Sequence, residues 1–177
     1  MEMIMGRVFG LLMLLMTMGL NCPVLAQEGS SAVGLRLSPD GAGITGKYFL
    51  SKTFALETQF NIGGLMSGNE GRSLTVAGLA VYHIPLPDPS WRVYFGGGVH
   101  AGSWERPSVP VDQLPVNEEV SSKMIAGING LGGVEYQLKS APVSLSADFK
   151  PAINLISESD IFPHNVFGLS VRYYLGR

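Results

Sequence analysis

The sequence predicts an all-β protein: an eight-stranded antiparallel up-and-down transmembrane β-barrel that follows a cleaved signal peptide. Three observations support this prediction. Apolar and polar residues alternate along eight segments, turn-forming residues separate these segments, and the connections are short at one end and longer at the other. An even number of strands lets such a sheet close on itself without an unpaired edge.

The clearest strand is the segment Val143–Leu155. Its odd positions carry Val, Leu, Ala, Phe, Pro, Ile and Leu, whereas its even positions are mostly Ser, Asp, Lys and Asn. Neighbouring side chains of a strand point to opposite faces, so one face is apolar and the other polar. The segment exceeds the roughly 9–11 residues that a tilted strand needs to cross a bilayer. An apolar outer face and a polar inner face are typical of a transmembrane barrel.

The other strands follow from the same alternation and from the turns between them. No segment shows a convincing helical period, and every boundary carries Gly, Pro, Asn, Asp or Ser. In chain order, the predicted strands are Ala32–Leu37, Gly43–Leu50, Thr53–Gly63, Ser73–Ile84, Trp91–Trp104, Lys123–Leu138, Val143–Leu155 and Val166–Leu175.

The connections between these strands form two classes. Those after the second, fourth and sixth strands are short turns, at Ser51–Lys52, Pro85–Pro89 and Lys139–Ala141. The connections after the third, fifth and seventh strands are longer and more polar. The connection after the first strand, at Pro39–Asp40, lies at the same end as these but is short. Short turns at one end and long loops at the other are typical of outer-membrane barrels.

The start of the chain predicts export. Val8–Leu20 is an almost unbroken apolar run, too short to span a membrane as a helix, and Val24–Ala26 offers the small residues that a signal peptidase recognises. We therefore expect residues 1–26 to be a signal peptide, cleaved after Ala26, and residues 27–177 to form the barrel domain.

The single cysteine, Cys22, lies within the predicted signal. As an alternative, Cys22 could be a lipidated first residue, but Asn21 replaces the small residue that lipoprotein signals place before the cysteine. With the cut after Ala26, the remaining chain has no thiol for a disulfide, a thiolate nucleophile or a zinc–thiolate site. The net charge of −2 gives no electrostatic reason to expect nucleic acid as a partner.

Aromatic residues cluster beside the short turns and near the end of the last strand. They are Tyr48, Phe49, Phe54, Tyr82, Trp91, Tyr94, Tyr136, Tyr173 and Tyr174. In an up-and-down barrel these positions share one rim, and amphipathic rings at one height are typical of a membrane–water interface. We expect six of them to be interface aromatics: Tyr48, Phe54, Tyr82, Trp91, Tyr136 and Tyr173. At the opposite rim the candidates are Phe60, Trp104 and Phe167.

The alternation places eight charged residues on the inward face. They are Arg36, Lys47, Glu57, Arg92, Glu135, Asp148, Lys150 and Arg172. An eight-stranded barrel is just wide enough for side chains to fill it, so these charges must meet one another. Because an unpartnered buried charge is costly, the mixed signs favour a structural network of salt bridges. A gated ion path or a buried acid/base pair is the less favoured interpretation.

We predict no catalytic residue, no cofactor and no metal site. His100 and Ser103 could suggest an enzyme that deacylates lipid, but their odd spacing places them on opposite faces of a regular strand. Only a β-bulge would bring them together. His83 and His164 have no partners at a metal-ligand spacing.

Four segments resemble the small eight-stranded outer-membrane barrels of Gram-negative bacteria, the OmpA-like and OmpX-like proteins. They are Trp91–Gly98, Gly132–Tyr136, Asp148–Pro151 and Gly168–Tyr174. In that family an aromatic near the C-terminus is the insertion signal for the assembly machinery, whereas this chain ends in Leu175-Gly176-Arg177.

The resemblance implies a monomer in the cell outer membrane with a structural, adhesion or surface-interaction role. Its partners would be outer-membrane lipids, the outer-membrane assembly machinery and an extracellular partner that contacts loops 63–72, 105–122 and 157–165. Two alternatives stay open: a lipid-modifying barrel enzyme similar to a lipid A deacylase, and a secreted soluble barrel that binds an apolar ligand. The second alternative requires an apolar interior.

Overall fold

A computed structural model describes residues 29–39, 41–64, 72–105, 122–156 and 166–175. These residues form nine β-strands: β1 (Ser31–Ser38), β2 (Gly41–Phe49), β3 (Phe54–Gly63), β4 (Arg72–Pro85), β5 (Trp91–Glu105), β6 (Ser122–Gln137), β7 (Val143–Phe149), β8 (Ala152–Ile156) and β9 (Phe167–Leu175). Over these ranges the chain contains no helix long and apolar enough to cross a membrane. The predicted signal peptide, residues 1–26, lies outside the described residues.

The strands form one closed antiparallel sheet. Each strand from β1 to β6 pairs with the next, β7 and β8 both pair with β6, β9 pairs with β7, and β1 pairs with β9. Because β7 and β8 together occupy the seventh position, the barrel has eight positions around its circumference. The predicted eight-stranded antiparallel barrel is confirmed.

The seventh predicted strand is interrupted, and in this respect the prediction of one continuous strand over Val143–Leu155 was wrong. The strand breaks at Lys150 and Pro151, because proline has no N–H to donate, although the Pro151 carbonyl still accepts a bond from the Gly130 N–H at 2.9 Å. The register does not slip, since Phe149 pairs with Gly132 before the break and Ala152 pairs with Asn129 after it. Alternation of inward and outward side chains therefore continues across the break.

The strand bounds confirm the two classes of connection. Residues 50–53, 86–90 and 138–142 connect strands at one end of the barrel, which we call the short-turn end. The opposite end, called here the long-loop end, carries the longer connections. The predicted loops 63–72, 105–122 and 157–165 fall mostly outside the described residues.

The outer face of the barrel is apolar along every strand. Large exposed apolar side chains include Leu35, Ile44, Leu56, Val76, Val99, Ile128, Leu145, Ile153 and Leu169. Charged side chains within the described strands either face the interior or lie at strand ends on the long-loop end, where Arg72, Glu105 and Lys123 are exposed. An uncharged apolar band therefore surrounds the barrel.

Six aromatic residues form a belt on the outer face near the short-turn end. Tyr48, Phe54, Tyr82 and Trp91 are exposed, and Tyr136 and Tyr173 are half-buried. The rings of Trp91 and Tyr136 pack with their centroids 4.8 Å apart.

Three other aromatic residues, expected at the same rim, lie inside the barrel. Phe49, Tyr94 and Tyr174 are no more than 3% exposed. They share the faces of Lys47, Arg92 and Arg172, which stand two residues away on the same strands. Period-two alternation accounts for this placement, because residues i and i+2 point to the same side of a sheet. None of these three rings is among the six residues predicted as interface aromatics.

Candidate functional site

The candidate site is the charged interior of the barrel. All eight charged residues on the inward face are buried, with exposed fractions from 0 to 6%. They lie on β1, β2, β3, β5, β6, β7 and β9 and at the β7–β8 break, so nearly every strand contributes one. The structure brings seven of the eight into ion pairs with one another.

The central cluster joins two carboxylates to two cations. Lys47 Nζ lies 2.9 Å from Glu135 Oε2 and 3.3 Å from Glu57 Oε2. Arg172 Nη2 donates to Glu57 Oε1 at 2.6 Å, and Arg172 Nη1 lies 3.9 Å from Glu135 Oε2. These four residues come from β2, β3, β6 and β9, so the cluster links strands on different sides of the barrel.

Neutral side chains complete the coordination of the central cluster. Thr45 and Gln59 each donate to Glu57 Oε1, at 3.1 and 2.8 Å, and Arg172 Nη1 donates to Ser146 Oγ at 2.7 Å. Buried charges need such bonds because the barrel interior cannot solvate them as water does.

Glu135 also accepts bonds from the short-turn side of the interior. Arg92 Nη2 lies 3.2 Å from Glu135 Oε1, and the Tyr174 hydroxyl donates to the same oxygen at 2.8 Å. Arg92 Nη2 donates in addition to Gln137 Oε1 at 2.8 Å. Among the described interior carboxylates, Glu135 therefore has the most cations around it, three, together with one hydroxyl.

Aromatic rings cover the central cluster on its short-turn side. The Phe49 ring packs on His83 at 5.2 Å and on Tyr174 at 6.0 Å between centroids. Lys47 Nζ lies 4.7 Å from the centroid of Tyr94, where a cation is attracted to the ring face, and 3.3 Å from His83 Nε2. Since an ammonium group only donates, His83 Nε2 is the acceptor of that bond. His83 thus belongs to the packed interior.

A second cluster lies toward the long-loop end. Arg36 Nη1 pairs with Asp148 Oδ2, which also accepts a bond from the Tyr94 hydroxyl at 3.3 Å. Lys150 Nζ donates to the amide oxygen of Gln59 at 2.7 Å. Among the described residues, Lys150 makes no ion pair with a carboxylate. Each of the other four inward cations makes at least one.

His100 is held by two amides and does not face a nucleophile. Its Nδ1 lies 2.6 Å from Asn129 Oδ1, and its Nε2 lies 2.8 Å from Asn154 Oδ1. Ser103 stands on the opposite face of β5, as the odd spacing predicts, because the β5–β6 register runs without a bulge between the two residues. His100 therefore connects β5 to β6 and β8. Over the described residues, no group of three His, Cys, Asp or Glu side chains could hold a metal.

Because Gly168 has no side chain, it leaves room for the Arg36 guanidinium. This arrangement yields a testable prediction. A Cβ atom on Gly168 would overlap the Arg36 guanidinium. We expect Gly168→Ala to displace Arg36 from Asp148 and to lower the free energy of unfolding by about 1–3 kcal/mol, as overpacking of a filled interior does. Urea unfolding of the refolded protein measures this change.

The matched control for this prediction is Gly132→Ala on β6. A Cβ atom on Gly132 would meet nothing within 4 Å. The control should therefore leave the unfolding midpoint unchanged or raise it slightly. Equal effects of the two substitutions would contradict the role assigned to Gly168.

Comparison with known proteins supports the architecture. No protein-family model and no curated protein matches the chain. Solved structures do match. The N-terminal β-barrel domain of Pseudomonas aeruginosa OprF matches at 14% sequence identity with a TM-score of 0.63, and the match covers 84% of this chain and 98% of that one. The outer membrane protein OprG from Pseudomonas aeruginosa matches at 13% identity and a TM-score of 0.51, covering 85% of this chain and 98% of that one. The chain therefore has the fold of the small eight-stranded outer-membrane barrels.

Proposed function

We propose that the protein is a non-enzymatic integral outer-membrane β-barrel with a structural, adhesion or surface-interaction role. The observation that carries this proposal is the uncharged apolar band around the barrel, since the charged side chains of the described strands lie inside it or at the strand ends. In water such a band would be a large exposed apolar surface, which soluble monomers rarely have. In a bilayer it faces hydrocarbon, and the aromatic belt at the short-turn end marks one interface.

The interior supports this role over the two alternatives. A soluble barrel that carries an apolar ligand needs an apolar interior, whereas the described interior is filled by ion pairs and their hydrogen-bond partners. A lipid-deacylating enzyme needs a nucleophile within reach of a base, whereas the nitrogens of His100 face Asn129 and Asn154. The charge network acts as a structural plug that connects the strands across the lumen.

This proposal also assigns an orientation and partners. Residues 1–26 would be removed after Ala26, and the assembly machinery would insert the monomer among outer-membrane lipids. The loops 63–72, 105–122 and 157–165 would then stand outside the cell and contact an extracellular partner. The short connections at one end and the longer ones at the other suit this orientation, because outer-membrane barrels have short periplasmic turns and longer extracellular loops.

Membrane fractionation followed by gel electrophoresis tests the proposal. We expect the protein in the outer-membrane fraction, with faster migration in unboiled than in boiled samples, because a closed barrel resists detergent until it is heated. The same protein in planar bilayers should show no large, stable open conductance, since side chains fill an eight-stranded barrel. Recovery in the periplasm or the medium would reject the membrane role, and a large steady conductance would reject the plug.

A further inference from the structure

The second interior cluster, toward the long-loop end, has more positive than negative charge. Among the described residues, Arg36 and Lys150 lie there with one carboxylate, Asp148, and only Arg36 is within ion-pair distance of it. We propose that Arg36, Lys150 and Asn61 form a binding site for a small monovalent anion of the chloride class. This inference goes beyond the proposed function and concerns what occupies the barrel interior.

The strand register brings the proposed ligands to one part of the wall. Arg36 on β1 pairs with Gly43 on β2, and Gly43 pairs with Asn61 on β3, so the three residues share one row across the sheet. All face the interior. Gly43 has no side chain to separate the other two, and a Cβ atom there would lie 2.7 Å from Asn61 Oδ1. The Asn61 side chain therefore extends over Gly43, toward β1.

Lys150 reaches the same region from the opposite direction. Its Nζ bonds to Gln59, which stands two residues before Asn61 on the same face of β3. The Lys150 ammonium has three donors, and the amide oxygen of Gln59 takes one of them. Lys150 is 5% exposed, so bulk water does not surround its charge.

Several donors in this region have no acceptor among the described residues. They are Arg36 Nε, Arg36 Nη2 and Asn61 Nδ2, on residues that are 1% and 3% exposed. Buried donors in native proteins are nearly always bonded, and an unbonded one calls for an explanation such as an ion or an ordered water. Nε and Nη2 form one edge of the guanidinium, a two-donor fork suited to an anion.

Asp148 limits where the anion can lie. Its Oδ2 binds Arg36 Nη1, and its Oδ1 has no partner among the described residues, so it would repel an anion nearby. The proposed anion therefore lies against the Nε and Nη2 edge of Arg36, away from Asp148 Oδ1. Two cations and one carboxylate leave a surplus of one positive charge, which a monovalent anion neutralises. A divalent anion would overcompensate this charge in an interior of low dielectric.

The test compares thermal unfolding in sodium chloride and in sodium gluconate at equal ionic strength, so that general screening is the same. Gluconate is too large for a filled interior. The protein refolded in detergent is followed by its heat-dependent gel shift and by calorimetry. We expect chloride at about 100 times its dissociation constant to raise the unfolding midpoint by about 5 °C or more, since a ligand that binds only the folded state stabilises it.

Two variants separate the site from a general salt effect. Lys150→Met removes the surplus charge and should abolish the difference between chloride and gluconate. Lys139→Met removes an exposed lysine, 70% accessible at its side chain, in a short turn and should preserve the difference. Equal midpoints in the two salts for the unmodified protein, or a chloride effect retained in Lys150→Met, would overturn the proposal.

A direct measurement covers the case in which Lys150→Met does not fold. Crystals of the unmodified protein grown in bromide should show an anomalous peak within hydrogen-bond distance of Arg36 Nε and Lys150 Nζ. Diffraction with no such peak would overturn the site, as would stabilisation by phosphate without stabilisation by halide. Recovery in the outer membrane combined with no halide effect would reject the anion site and leave the proposed function intact.

Discussion

Glu135→Ala is expected to lower the free energy of unfolding by about 3–5 kcal/mol, the cost of removing one partner from a buried ion pair. Glu135 is fully buried and contacts Lys47, Arg92 and Arg172 together with the Tyr174 hydroxyl. Its loss leaves Glu57 as the sole carboxylate among these three cations within the described interior. Urea unfolding of the protein refolded into lipid vesicles, followed by tryptophan fluorescence, measures the effect.

Controls for Glu135→Ala separate the ion pairs from the simple loss of a side chain. Glu105→Ala removes an exposed carboxylate at the long-loop end and should change the free energy of unfolding by less than about 0.5 kcal/mol. In a double-mutant cycle, Lys47→Met combined with Glu135→Gln should cost less than the two single changes added together, since each single change removes one ion-pair partner from a buried charge that remains. Similar costs for Glu135→Ala and Glu105→Ala would contradict the role of the network.

Ala147→Arg is expected to cost about 2–4 kcal/mol, the range for an arginine on the lipid face of a barrel near the bilayer midplane. Ala147 is exposed on β7 between its ladder partners Val134 and Leu169, both exposed apolar residues on the outer face. The guanidinium would therefore enter the apolar band. The same vesicle unfolding assay gives the cost.

The control for Ala147→Arg is the identical change at Ala141, in the short turn between β6 and β7. There the arginine reaches water at the interface, so its cost should fall to about 0–1 kcal/mol. If both substitutions have equal effects in vesicles, the outer face of β7 does not contact hydrocarbon and the proposed membrane role is rejected.

Period-two alternation explains why the fold could be predicted from the sequence. The alternation at Lys47, Arg92 and Arg172 marks the inner face of β2, β5 and β9, and the same count places Phe49, Tyr94 and Tyr174 inside. The three rings share the height of the interface aromatics but stand on the inner face, and none of them is among the six predicted interface residues. The break at Lys150 and Pro151 also had a signal in the sequence, since proline cannot donate to a ladder.

The partners of the interior charges could not be predicted from the sequence. Alternation predicts which face of the sheet a residue occupies. Contacts across the lumen depend in addition on the stagger between strands, because the stagger decides which residues lie at the same height. Asp148 thus pairs with Arg36, more than a hundred residues away, and not with Lys150, two residues along its own face. Arg172 likewise reaches Glu57 on β3, a strand with which β9 makes no ladder.

The pairing of β1 with β9 has a consequence for how the protein folds. Ser31 lies opposite Leu175, so this ladder joins the two ends of the described chain, whereas the other ladders join strands closer in sequence. Contacts of such long range slow folding, because the entropy of closing the loop is lost before the bonds form. Until β1 and β9 pair, the sheet has two open edges. Ion pairs between β9 and β3, such as Arg172 with Glu57, then lack the closed interior that buries them. We therefore expect closure of this seam to make the folding transition cooperative, since it completes the ladder and encloses the interior charges.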